Sequence, residues 1–182
     1  TQQIFTAAEM GGPSNISSVA FEMANLAQQR TFKIYMMHTS ESAIASWIPA
    51  ANAQLVFDDA QTLVQGWNTF EFTTPFAYNG TDNLLLIVVD ETGSYVSGNT
   101  WYVHSSTTNC SRYIYNDSNP YSITSNPTSA GTGLSVRNNI IFGGNCDSTA
   151  TCFAPNMYVD NIDTTSAEII WVPGLDESEW EL

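Results

Sequence analysis

Basic side chains are scarce in this sequence. Lys and Arg together number 4 among 182 residues, against 18 Asp and Glu, and the formal net charge is −14. Proteins bind a phosphate backbone through Lys and Arg, which displace its counterions. We therefore expect neither nucleic acid nor an anionic membrane surface to be a partner.

Long apolar runs and a leader are also lacking. The longest apolar run, Leu84 to Val89, is only strand-sized, whereas a helix needs about 20 apolar residues to span a bilayer. No signal peptide begins at Thr1, so we expect any export sequence to have been removed or to lie upstream in a longer parent. We expect no membrane insertion.

The residues that catalysis and zinc binding need are few. The two histidines, His38 and His104, lie in no recognisable motif, and neither Cys-x-x-Cys nor His-x-x-x-His spacing occurs. Hydrolases usually need a nucleophile beside a base, or two facing carboxylates, and zinc needs clustered Cys and His. We predict that the protein is not an enzyme and has no zinc site.

Cysteine is limited to three positions, Cys110, Cys146 and Cys152, which allow three single pairings and leave one thiol over. A disulfide between Cys146 and Cys152 is the pairing we favour, because the two flank a short Asp-Ser-Thr-Ala-Thr linker. Three free thiols remain the alternative.

What the sequence does contain is a rhythm of short β-prone segments. Runs of four to eight residues rich in Val, Ile, Tyr, Phe and Thr recur between Gly, Asn, Pro and Asp, as in a β-sandwich. Phe70 and Phe72 fall on one face of a strand, with Thr69 and Glu71 on the other. The fold class predicted is all-β.

Two segments locate the core of that fold. The continuous run Leu84 to Val89 is typical of a central strand buried on both faces. The segment Val136 to Phe142 is well suited to return beside an early strand, after which Gly143-Gly144 would end the domain. We assign residues 1–145 to one domain, 146–155 to a linker, and 156–182 to the start of another.

The second part resembles the beginning of a bacterial fibronectin type III domain. The matching pieces are Pro155, the apolar strand Tyr158 to Ile162, Thr165-Ser166-Ala167, and Trp171 in the second strand. Gly174 to Trp180 resembles the entry to the third strand of such domains. About 27 residues match, so the resemblance implies an incomplete fibronectin type III fragment.

The first part resembles the jelly-roll modules of bacterial surface proteins related to the cleaved-adhesin domains of gingipains. The matching pieces are Gln3 to Glu9, Ile34 to Thr39, Trp67 with Pro75 to Gly80, Asn83 to Gly93, and Arg137 to Phe142. The resemblance implies a galactose-binding-like jelly-roll β-sandwich, non-catalytic, in a secreted or cell-surface bacterial protein. Its implied roles are adhesion through glycan or host extracellular protein, or spacing, alongside other domains of the parent chain.

One stretch has the composition of a glycan-binding surface. Sugars stack on exposed aromatic rings and hydrogen-bond to nearby amides and acids. The ligand-binding candidates are Trp101, Tyr113, Tyr115, Asn116, Asp117 and Tyr121. Core packing of Trp101, Tyr113 and Tyr115 is the alternative, because large rings commonly fill sandwich interiors.

Acidic loops could also hold one structural calcium ion, since calcium needs only oxygen ligands from carboxylates, amides and carbonyls. The candidate ligands are Glu9, Asp90 and Glu91, with Asp58-Asp59 and Asp117 as further acidic positions. No twelve-residue calcium loop is present, and solvated turn acids are the alternative interpretation.

Overall fold

The computed structural model describes residues 1–25, 28–93, 100–107, 109–116, 121–146, 156–160 and 168–172, with side chains described up to residue 144. The chain divides into two compact units, Thr1–Asp147 and Ser148–Leu182. Among the described residues, no helix has the length and apolar character needed to cross a membrane.

The described secondary structure is almost entirely β, as predicted. The elements of the first unit are β1 (Gln2–Phe5), α1 (Ala7–Met10), β2 (Ser14–Met23), β3 (Gln29–Thr39), β4 (Gln54–Thr62), β5 (Gly66–Tyr78), β6 (Asn83–Asp90), β7 (Val103–Ser105), β8 (Ser111–Tyr113), β9 (Thr132–Leu134), β10 (Val136–Asn138) and β11 (Ile140–Cys146). The second unit holds β12 (Asn156–Asp160) and β13 (Glu168–Val172).

The strands of the first unit form two main antiparallel sheets. A six-stranded sheet has the order β4-β3-β6-β1-β8-β9, and a three-stranded sheet has the order β11-β2-β5, while β7 and β10 pair separately. The main apolar cluster draws on both sheets, with Ile34, Val56 and Leu84 from the first and Val19 and Phe70 from the second. The two sheets therefore pack face to face in a β-sandwich-like arrangement.

Strand β6 is central and buried on both faces, which confirms the prediction for Leu84 to Val89. It lies between β3 and β1 in the six-stranded sheet. Leu84 and Leu86 belong to the core between the sheets. Leu85 and Ile87 lie on the opposite face, in a second cluster with Ile4, Ile44, Ile48 and Ala50. The irregular segment 40–53 thus covers the outer face of this sheet.

Strand β11 pairs antiparallel with β2, with Ile141 opposite Ala20, and so confirms the predicted return beside an early strand. Strand β11 runs through Gly143-Gly144, where the sequence predicts the domain to end, and continues to Cys146. The register shifts between the two glycines. A Cβ atom at Gly143 would collide with the Ser18 hydroxyl, and one at Gly144 with the Asn15 carbonyl. The glycines therefore permit close strand approach at a bulge.

The second unit contains the two predicted strands. β12 and β13 pair antiparallel, with Tyr158 opposite Ile170 and Met157 opposite Trp171. β12 includes most of the predicted apolar strand Tyr158 to Ile162, and β13 includes Trp171, as predicted for the second strand.

The four-residue helix α1 was missed by the sequence analysis. Thr6 caps it, accepting from the Glu9 backbone N–H, while the Glu9 carboxylate accepts from the Thr6 backbone N–H. This reciprocal pattern is the capping box, whose Thr-x-x-Glu spacing is visible in the sequence. The helix ends at Gly11, with φ at 76°.

Candidate functional site

A buried arginine organises one end of the sandwich. Arg112 projects from β8 and is 8% exposed. Its guanidinium donates to the Ile44 carbonyl at 3.2 Å, to the Ala45 carbonyl at 2.6 Å and to the Ala130 carbonyl at 2.5 Å. A buried guanidinium is tolerated only when its donors are satisfied. One side chain therefore ties segment 40–53 to segment 121–131.

The same two segments meet around Trp47. Its indole Nε1 donates to the Ser129 carbonyl at 2.8 Å, and the Asn126 amide donates to the Trp47 carbonyl at 3.1 Å. Gly131 adopts a φ of +64°, and a Cβ there would lie 2.6 Å from both the Trp47 ring and the Tyr113 carbonyl oxygen. Glycine is therefore required for this close approach.

Gln2 of β1 attaches segment 40–53 to the six-stranded sheet. The Gln2 side chain is 5% exposed, and its amide both donates to the Ile48 carbonyl at 2.8 Å and accepts from the Ile48 N–H at 3.0 Å. These two bonds resemble the backbone pairing between antiparallel strands. They give both the nitrogen and the oxygen of the buried amide a hydrogen-bond partner. It holds the loop against the sheet beside β1.

These contacts frame a cleft of about 660 Å³ at the end of the sandwich, within the size range of small-molecule sites. We call it the end cleft. Its polar lining comprises Thr1, Gln2, Gln3, Arg30, Asp90, Asn116, Ser122, Ser125, Asn126 and Asn138, and its aromatic lining comprises Phe21, Phe32, Trp47, Phe70, Trp101, Tyr115 and Tyr121.

The structure brings together four of the six residues predicted to bind a ligand. Trp101, Tyr115, Asn116 and Tyr121 line the end cleft. Tyr113 lies in an adjoining depression of about 300 Å³, which Tyr115 and Tyr121 also line. The sixth residue, Asp117, lies outside the described residues.

Trp101 and Tyr115 play different parts in that lining. The Trp101 ring is half-buried against the core and contacts Phe21 edge-on, with centroids 6.2 Å apart. Tyr115 is 78% exposed. Strand β8 ends at Tyr113, so the alternation of its side chains between two faces does not extend to Tyr115. Core packing, the alternative to ligand binding, therefore applies to Trp101, whereas Tyr115 presents its ring to solvent.

Gln2, Trp47 and Asn126 are among the lining residues that were not predicted as ligand candidates. They lie far from the Trp101 to Tyr121 stretch in sequence and reach the cleft through the Arg112, Trp47 and Gln2 hydrogen bonds. No local motif marks them, because the contacts that assemble them are tertiary.

The three calcium candidates each face a cation of the chain itself. Glu9 pairs with Arg137, Asp90 with Arg30 at 2.5 Å, and Glu91 with Lys33 at 3.0 Å.

The structure also does not bring these three acids together. Ala7, in the same helical turn as Glu9, bonds to Asn83 at the start of β6, and Asp90 ends that strand. At about 3.3 Å per residue, the two ends of β6 lie roughly 23 Å apart. Of the described residues, no group of three or more His, Cys, Asp or Glu is arranged to hold a metal ion.

The remaining acidic candidates and the cysteines are placed as follows. Asp58 lies 3.9 Å from Lys33, and the Asp59 carboxylate accepts from the Ala60 N–H at 2.7 Å. Cys110 is buried as a free thiol. The favoured Cys146–Cys152 disulfide lies outside the described residues, because neither side chain is described.

The class that these observations define is an all-β protein, whose first unit packs antiparallel sheets around one core and carries a cleft of aromatic and amide side chains at one end. Comparison of the chain with protein-family models, with curated proteins and with solved structures gave no match.

Proposed function

We propose that this chain is a non-catalytic binding module of a secreted or cell-surface protein, and that it captures glycan in the end cleft. The observation that carries the proposal is the joint presence of aromatic rings and side-chain amides in one cleft. Ring faces stack on the C–H faces of sugars, while amides donate to and accept from hydroxyl groups.

The charge of the end cleft supports an uncharged ligand. Arg30 and Asp90 are the charged side chains in its described lining, and they form an ion pair with each other. The lining is therefore close to neutral, although the whole chain carries a formal charge of −14. A neutral sugar can exchange its hydrogen bonds with water for hydrogen bonds to the amides of such a site, whereas a charged ligand would also need an opposite charge.

The position of the end cleft also supports recognition. Loop residues such as Trp47, Tyr115 and Asn126 form part of its wall and are fixed on strands of the sandwich, and binding residues are commonly displayed in that way. Within a longer bacterial surface protein, the proposed jelly-roll module 1–145 and the proposed fibronectin type III fragment 156–182 would place this cleft at a distance from the cell. Host-protein adhesion, a structural spacer, or an accessory domain of a secreted hydrolase are the alternatives.

A glycan array tests the proposal with the full chain, with calcium and with chelator. The Tyr115→Ala variant should lose at least tenfold in affinity for any glycan bound, because it removes the exposed ring. Tyr102→Ala is the matched control, since Tyr102 is also an exposed tyrosine, at 48%, and does not line the end cleft.

Two results would overturn glycan capture at the end cleft. One is a blank array from protein that circular dichroism shows to be folded, which would favour protein adhesion or spacing. The other is an equal loss in Tyr115→Ala and Tyr102→Ala. Binding that needs calcium would add a metal to the site.

A further inference from the structure

The outer face of the three-stranded sheet carries an aromatic–carboxylate–aromatic row. In β2, Phe21 and Met23 are buried in the core, so Glu22 between them points to the outer face. Trp67 of β5 is the direct cross-strand partner of Glu22. On the other side of β2, the Tyr102 N–H donates to the Glu22 carbonyl at 2.9 Å.

The bridge between Met23 and Trp101 fixes the position of Tyr102 in this row. Because Trp101 packs inward against Phe21, its neighbour Tyr102 points outward, beside Glu22. We call Trp67, Glu22 and Tyr102 the outer-face row. With neighbouring strands about 4.8 Å apart, the two aromatic residues stand roughly 10 Å apart, on either side of the carboxylate.

Both rings of the outer-face row are open to solvent. Trp67 is 44% exposed and Tyr102 is 48% exposed. Large apolar side chains shown side by side on a sheet face are typical of interaction surfaces. Neither ring belongs to the end cleft, so this surface is a separate feature of the molecule.

The carboxylate between the rings is held in place. The side-chain nitrogen Nδ2 of Asn139 donates to Glu22 Oε2 at 2.8 Å, and the side-chain oxygen Oδ1 of Asn139 lies 3.3 Å from His104 Nδ1. A carboxylate fixed by such bonds loses little conformational freedom when it binds a ligand.

The basic side chains of the protein are engaged in other contacts. The sequence has four Lys and Arg. Arg30, Lys33 and Arg137 pair with Asp90, Glu91 and Glu9, and Arg112 donates to backbone carbonyls. The outer-face row therefore carries a carboxylate on a surface that also includes the exposed Glu71, and a cation is its electrostatic complement.

We propose that the outer-face row binds a Lys or Arg side chain from a basic segment of a partner protein. The two rings attract the cation through their faces, and the Glu22 carboxylate forms an ion pair with it. This site goes beyond glycan capture and does not depend on the end cleft.

Calorimetric titration of the full chain at low ionic strength tests the proposal. The probes are two capped peptides, Gly-Arg-Gly-Arg-Gly and its uncharged counterpart Gly-Gln-Gly-Gln-Gly. The arginine peptide should bind at least tenfold more tightly than the glutamine peptide. Glu22→Gln and Trp67→Ala should each weaken arginine-peptide binding at least fivefold.

Glu71→Gln is the matched control, because it removes the same charge from the same sheet face. Glu71 follows Trp67 by four residues in β5, roughly 13 Å along the strand. It should change arginine-peptide binding less than twofold, and Tyr115→Ala should leave it unchanged.

Three outcomes would overturn the proposal. The first is no binding of the arginine peptide by folded protein. The second is an equal loss in Glu22→Gln and Glu71→Gln, which would indicate diffuse electrostatic attraction. The third is binding of a neutral oligosaccharide that is lost in Trp67→Ala but unchanged in Glu22→Gln, which would make the row a glycan surface.

Discussion

The end cleft and the outer-face row both display aromatic rings, but the chain builds them by different means. The end cleft joins loops from distant parts of the sequence, which a buried Arg112 ties together through backbone carbonyls. The outer-face row follows from the register of neighbouring strands, with Glu22 opposite Trp67. The cleft therefore depends on a few tertiary contacts, whereas the row depends on strand pairing throughout the sheet.

Their electrostatics differ in the same way. The charged pair in the cleft lining, Arg30 and Asp90, is internally neutral, and the row presents an acid that a neutral amide holds. A chain with so few basic residues can thus offer one neutral and one acidic surface. The net charge of the chain alone therefore does not specify the ligand of a given site.

The largest effect should come from removing Arg112. Arg112→Ala leaves the Ile44, Ala45 and Ala130 carbonyls without their donor and opens a cavity, so the free energy of unfolding should fall by about 3 kcal/mol. Glycan binding should be lost, while arginine-peptide binding at the outer-face row should persist in the fraction that remains folded. Urea unfolding and the two binding assays check this.

Lys33→Ala is the control for Arg112→Ala, because it removes a basic residue of an exposed ion pair. Its stability change should be much smaller. A loss below about 1 kcal/mol for Arg112→Ala, or an equal loss of both binding activities, would contradict the view that Arg112 serves the end cleft alone.

A second pair of variants compares a ring that packs on the core with a ring that is exposed to solvent, both in the lining of the end cleft. Trp101→Ala removes a ring that packs on the core beside Phe21 and should cost about 2 kcal/mol of stability. Tyr115→Ala removes a ring that is 78% exposed and should change stability by less than about 0.5 kcal/mol. Thermal and urea unfolding of both variants measure the contrast, and similar losses would contradict the assignment of Trp101 to the core.

A smaller effect than the loss of Arg112 or Trp101 should be a pH dependence at α1, which lies in neither surface. The hydrogen bond from Arg137 lowers the pKa of Glu9 from 4.5 to about 2. Because the folded state holds this proton less tightly, the pair stabilises the fold above pH 4.5, and that stability is lost as the pH falls from 4.5 towards 2. The Glu9 side chain is 41% exposed, so solvent screening limits the effect to about 1 kcal/mol.

Glu9→Gln isolates this pH dependence. The stability difference between the native chain and Glu9→Gln should shrink as the pH is lowered from 5 to 2, in unfolding curves recorded at each pH. A difference that stays constant over this range would contradict the lowered pKa of Glu9 and its ion pair with Arg137. Both surfaces should keep their binding in this variant at neutral pH.

Much of the fold could be predicted because strand burial leaves a periodic record in the sequence. The alternation around Phe70 and the continuous run at Leu84 correctly located a half-buried and a doubly buried strand. The helix α1 was missed although its capping box is local, because four residues carry no apolar period. The fibronectin type III and adhesin resemblances remain predictions.

The candidate site was less predictable. The sequence placed aromatic and amide residues in the Trp101 to Tyr121 stretch, and four of them line the end cleft. The sequence did not show that Trp101 packs on the core whereas Tyr115 is exposed. Strand β8 ends at Tyr113, so the alternation of side chains between two faces gives no information about Tyr115. Trp67 lies in β5 and is 44% exposed on the outer face of its sheet, which no sequence pattern predicted.

The all-β class, the central strand and the scarcity of positive charge can be read from the sequence alone, because they depend on local pattern and composition. Three features become visible only in the tertiary structure. Arg112 donates its hydrogen bonds to loop carbonyls, Trp47 and Asn126 line one cleft, and Trp67 and Tyr102 flank Glu22. Such contacts join residues far apart in the chain, and their geometry is fixed by sheet register and core packing rather than by any local signal.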